Sequence, residues 1–156
     1  MSNLTVTESR YLRLVRASAA YDLIVTLPFA TPWSAGWLLD KLGGLHAAAG
    51  LPGAAPPPFA PQHLFFVSLF GTVVVLWSIL RLRVTRTEHG LYDGIGRALF
   101  SLWMIIALVG GASALIGGML VIEASFGVAQ LAGYAALTRS SSCASARSPA
   151  ASASRS

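Results

Sequence analysis

The chain has 156 residues, of which 54% are hydrophobic and only 11% charged, against about 25% charged in an ordinary soluble domain. A chain this short has too little interior to hide that much apolar surface from water, so the composition excludes a soluble globular enzyme and leaves an integral membrane protein. The net charge of +5 comes from ten Arg and one Lys set near the ends of apolar segments, a placement that serves membrane insertion rather than nucleic-acid binding.

In chain order, Thr5-Val6-Thr7-Glu8 has the form of a capping box and predicts a helix beginning near Thr5. Arg10, Arg13 and Arg16 then fall on one stripe of an interfacial extension of the first span. A bilayer core of about 30 Å needs roughly 20 apolar residues. Four segments meet that need: residues 17–39, 63–80, 94–110 and 114–137. The expected fold class is therefore all-α, an integral membrane four-helix bundle over residues 1–138.

Pro28 and Pro32 lie one turn apart in the first span, and each removes a backbone donor, so they predict a kink. Asp22 in the same span reads as an interface carboxylate paired with Arg13, Arg16 or Arg97, ahead of the alternative of a proton or substrate relay at the cytoplasmic mouth. Trp33 and Trp37 read as outer anchors and Tyr92 as an inner one. The outer loop, about residues 40–62, is uncharged after Lys41; residues 42–51 suit a short surface helix and the proline run beyond them a stiff extended chain. Arg81 and Arg97, at the ends of the two shortest spans, are expected to snorkel toward water. The basic inner loop, residues 81–92, suits anionic headgroups. Asp93 reads as the N-cap of the third span. Residues 139–156 are Ser/Ala/Arg low complexity and are expected to be disordered.

With both termini inside, ten of the eleven cations are cytoplasmic, which fits a bacterial inner membrane protein. Tyr21-Asp22-x-Ile24 and Tyr92-Asp93-x-Ile95 echo one another, as do Phe70-Gly71 and Phe126-Gly127. That pattern fits two parallel hairpins related by an axis along the membrane normal, or chance among apolar segments.

Glu123 stands well inside the fourth span. A charge at that depth costs a few kcal/mol, so it must face the bundle, face a wet cavity or carry a proton. Gly127, Gln130 and Tyr134 follow at i+4, i+7 and i+11 and share its face. Counting along the spans places Thr31, Thr72 and Ser101 nearest to it as hydrogen-bond partners. The stripe is either a functional pocket or proton site, or a hydrogen-bonding device that specifies helix packing. Trp77 and Trp103 lie deep enough to line an aromatic pocket, although packing explains them equally. His46, His63 and His89 form no mid-membrane pair, and the single Cys143 leaves no cysteine-based site, so neither haem nor metal is expected.

Four spans, cytoplasmic termini, a longer outer loop after the first span and a glycine-rich final hairpin resemble the layout of small bacterial membrane proteins of the DoxX-like family, over about residues 10–137. That group typically carries an acid in its early spans; here the acid read as buried is Glu123. Some members resemble subunits of quinone-linked membrane oxidoreductases. The leading expectation is a non-enzymatic accessory or interaction subunit, in contact with lipid and with a membrane-protein partner or its own copies. One alternative is a small carrier or permeability protein using Glu123, Gln130 and Tyr134. Another is a redox-complex subunit with a quinone beside Trp103 and Tyr134.

Overall fold

The structure is a computed structural model that describes residues 6–146, with side chains to residue 140. Helix α1 spans Val6–Thr26, and a short 3-10 turn, Leu27–Ala30, joins it to α2, Pro32–Ala48. Helices α3, Pro61–Arg83, α4, Thr87–Val109, and α5, Leu115–Ala146, follow. Thr5 lies outside the described residues, so its capping role does not enter. The helix of α5 runs on to Ala146, past the point where disorder was expected, because a helix already nucleated by a long span propagates at one backbone hydrogen bond per added residue. Residues 147–156 lie outside the described residues.

Three helices are long and apolar enough to cross a bilayer: α3, α4 and the Leu115–Ser140 part of α5, with mean hydropathies of 2.1, 1.4 and 1.7. Only 11–17% of each span's most apolar window is buried inside the protein. The large apolar side chains therefore face outward, among them Leu76 at 62% exposure, Val109 at 85% and Val128 at 70%. The interior is the reverse. Among the described residues four apolar side chains are buried, Tyr11, Val15, Ala19 and Ala35, against eight polar or charged ones. Water would invert that distribution; lipid favours it.

The expected first span is not one helix. Pro28 and Pro32 supply no backbone donor, and the chain breaks between them. Thr31 is extended (φ −131°, ψ 147°), as a residue before proline prefers, and caps α2 by accepting from the Ser34 amide at 3.3 Å. The break leaves carbonyls without helical donors, and Thr72 of α3 donates to one of them, Ala30 O, at 3.3 Å.

Neighbouring contacts fix the directions. Ser18 meets Arg81, Phe29 meets Gly71 and Gly36 meets Leu64, so α1, the turn and α2 run antiparallel to α3. Gly94 meets Leu131 while Arg97 meets Gly127, so α4 and α5 are antiparallel too. Tyr11 meets Gly90 and Asp22 meets Arg97, which makes α1 and α4 parallel. Helix α1 thus touches α3, α4 and α5.

At the opposite end from the α1 N-terminus, the proline-rich loop is stitched to the α4–α5 turn. Ala54 N donates to Gly111 O at 2.8 Å and Ala114 N to Pro52 O at 3.0 Å. His46 Nδ1 and Ser113 Oγ, both buried, share a hydrogen bond of 2.7 Å beneath them.

Gly71 sits where α3 crosses the 3-10 turn, and a Cβ there would strike the backbone and Cβ of Phe29. Gly71→Ala should therefore cost about 1–3 kcal/mol through overpacking, read in a mixed-micelle unfolding titration. Gly43→Ala, whose methyl meets nothing within 4 Å, should be neutral or slightly stabilising in the same mixed-micelle unfolding titration.

Candidate functional site

All four long helices meet at one cluster of charge. Helix α1 contributes Ser18 and Asp22, one turn apart on one face; α3 contributes Arg81; α4 contributes Asp93 and Arg97, again one turn apart; α5 contributes Glu123 and Gln130. Arg97 uses three nitrogens at once. Its Nη2 donates to Asp22 Oδ1 at 2.6 Å and to Ser18 Oγ at 2.8 Å, its Nη1 to Glu123 Oε2 at 2.7 Å, and its Nε to Asp93 Oδ2 at 3.4 Å. Arg81 binds the same two aspartates from the other side, Nη2 to Asp22 Oδ2 at 2.6 Å and Nη1 to Asp93 Oδ2 at 2.5 Å. Both arginines are buried, Arg81 fully and Arg97 with 3% of its surface exposed.

The neutral groups complete the cluster. Ser18 donates to Asp93 Oδ2 at 2.8 Å, and Gln130 Nε2 donates to the same oxygen at 2.7 Å. Trp77 Nε1 lies 3.4 Å from Asp93 Oδ1. Rings flank both cations, with Trp77 5.6 Å from the Arg81 carbon and Phe126 5.0 Å from that of Arg97. Only a forked, planar cation can reach so many acceptors, and arginine keeps its charge in any surroundings.

These contacts correct several expectations. Arg81 and Arg97 do not snorkel: each has carboxylates within reach inside the bundle, a better exchange for lost water than a stretched stem. Asp93 is not an N-cap, because α4 begins at Thr87 and puts Asp93 in its second turn, facing inward. Asp22 does pair with Arg97, but its second cation is Arg81, while Arg16 is exposed. Glu123 is not a lone acid; its partner is Arg97. Of the hydroxyls placed near it, Thr31 bonds Ser34, Thr72 bonds Ser68 O and Ala30 O, and Ser101 Oγ is buried without a partner.

The α5 stripe does face inward as one face. Gly127 lies against the Arg97 Cβ, Gln130 enters the cluster and the Tyr134 ring sits 6.5 Å from that of Tyr11. Trp103 is 59% exposed, while the Tyr134 ring lies beside that of Tyr11. The echoing acids Asp22 and Asp93 meet the same two guanidiniums. Sequence reasoning missed Arg81 as a cluster member and Asp93 as a second partner of Arg97, although the Asp93-Arg97 spacing of i,i+4 was a visible signal.

A cavity of about 390 Å³ lies over the cluster, lined by residues of α1, α3, α4 and α5. Asp22, Asp93, Arg97 and Glu123 form its polar floor. Val25, Val73, Val74, Met104 and Met119 supply apolar wall, and Tyr21, Trp77, Tyr92 and Phe100 supply aromatic side chains. No group of three or more His, Cys, Asp or Glu side chains arranged for a metal occurs among the described residues. No family model, curated protein or solved structure matches the chain.

Removing one partner from a buried ion pair costs about 3–5 kcal/mol because it strands the others. Arg97→Met should lose that much in mixed-micelle unfolding. Adding Glu123→Gln to it should recover part of the loss, since one stranded charge is gone; strictly additive losses would show that the two side chains do not interact.

Proposed function

We propose that this chain is a four-pass protein of a bacterial-type inner membrane, with both termini cytoplasmic, that binds an amphiphilic small molecule drawn from the bilayer and acts as a small carrier. The first pass is α1, the 3-10 turn and α2 taken together. Their antiparallel run beside α3, from Ser18 at Arg81 to Gly36 at Leu64, supports that reading. So does charge. With Arg81 and Arg97 held inside the bundle, the remaining cations are eight Arg on the proposed cytoplasmic side and Lys41 on the other. In layout such a protein would be kin to the DoxX-like group.

The observation that carries the binding reading is the joining of two environments in one cavity. Its walls suit an apolar body, and its floor presents carboxylates and a guanidinium to a polar head. A cluster that served only to lock the helices would need no open space above it. This favours the carrier over an accessory subunit that acts by packing alone, and it calls for no reaction by the chain itself.

Gly96 lines the cavity, and a Cβ built on it meets nothing within 4 Å. Gly96→Phe should fill the space without disturbing the backbone. Native mass spectrometry of protein released from its own membrane should show a one-to-one retained small molecule in the original chain and its loss in Gly96→Phe. Equal retention in both, or none in the original chain, would contradict the reading.

A further inference from the structure

The cluster does not balance its charge. It holds three carboxyls, Asp22, Asp93 and Glu123, against two guanidiniums, Arg81 and Arg97. Neither arginine can give up its proton. With every acid ionised, one negative charge has no counter-charge in a region walled by apolar side chains, where an uncompensated charge is costly. Two additions neutralise it: one proton, or one monovalent cation.

The three acids are not equally committed. Asp22 binds both arginines, and Asp93 accepts from Arg81, Arg97, Ser18 and Gln130. Glu123 has one hydrogen-bond partner among the described residues, Arg97 Nη1, and lines the cavity. Around Glu123, α1 presents Tyr21 and Asp22 and α4 presents Asp93 and Arg97, while α3 places Arg81 behind the two aspartates, away from the cavity lining. An incoming head group therefore meets carboxylates first, with Arg97 already spread over three of them. Tyr21, Trp77, Tyr92 and Phe100 also line the cavity beside this floor, and aromatic rings attract cations over their faces and not anions.

We propose that the cavity takes a monovalent lipophilic cation whose charged head sits at Glu123, and that its arrival releases one proton from the Glu123 carboxyl. The balance is simple: the cation enters, one proton leaves to water, no other bond breaks, and the cluster stays neutral throughout. This rests on the cavity being a site for amphiphiles, and it adds the charge of the ligand and the ion exchanged for it.

The test uses the full chain in lipid nanodiscs, with Trp33, Trp37 and Trp103 changed to Phe so that Trp77, in the cavity wall, reports. Three ligands with the same decyl tail are titrated: decyltrimethylammonium, decanol and decyl sulfate. The trimethylammonium should give a saturable change in Trp77 emission at alkaline pH, at least about tenfold tighter than the other two. On the acid side its affinity should fall by about tenfold per pH unit, the mark of one competing proton. A weakly buffered solution should record one proton released per cation bound. Glu123→Gln keeps a hydrogen-bonding group against Arg97 and leaves the cluster neutral, so charge preference and proton release should both vanish. Asp22→Asn removes the same charge from α1 and should do likewise, which keeps the test open if one variant does not fold. Equal binding of all three ligands, or preference for the sulfate, would overturn the cation while leaving the amphiphile site in place. No saturable response from any of them would remove the site itself.

Discussion

Charge cannot stay in hydrocarbon alone, and that constraint shapes this molecule. Asp22, Asp93, Glu123, Arg81 and Arg97 come from four helices, and each is tolerable at its depth only because the others are there. Apolar contact does little to choose between one helix arrangement and another, since lipid tails are as apolar as leucine. A polar node is different. A slipped register would strand a guanidinium or a carboxylate, so the cluster selects one set of neighbours. Arg97, bonded to α1 and α5 from its place on α4, is the member on which the most contacts converge.

Small residues let the node close. Gly94 lies against Leu131 and Gly127 against the Arg97 stem, which brings α4 and α5 together where the charges meet. Gly71 does the same for α3 against the 3-10 turn, at the place where Pro28 and Pro32 break the first segment. The break and the node are separate devices. One ends α1 a turn beyond Asp22, and the other holds Asp22 between two arginines.

What was legible in the sequence was the solvent and the apolar segments. Composition alone indicates lipid, and residues 63–80, 94–110 and 114–137 lie within helices that the structure extends at one or both ends, apart from Gly110 and Ala114 at their edges. The inward face of α5 was legible too, because Glu123, Gly127, Gln130 and Tyr134 repeat with the helical period. The pairing was legible only in part. Arg97 stood among the cations expected to meet Asp22, but Arg81 sits near a helix end, where arginine ordinarily serves the interface, and local spacing does not reveal that an acid 59 residues away will meet it. Asp93 misled for a related reason: an acid before Gly-Ile-Gly looks like a cap until the helix is seen to begin at Thr87. The cavity could not be read at all, since it exists only in the space that α1, α3, α4 and α5 leave between them.

The central claim is that these charges are joined inside the bundle rather than spread along the two membrane faces. Solid-state NMR on the protein in lipid bilayers tests it directly, by dipolar dephasing between a labelled Arg97 guanidinium and the labelled carboxyl carbon of Glu123. The 2.7 Å contact between Arg97 Nη1 and Glu123 Oε2 predicts strong dephasing, lost in Glu123→Leu. Absence of dephasing in the original chain, with the Arg97 guanidinium coupled instead to lipid phosphate, would contradict the account.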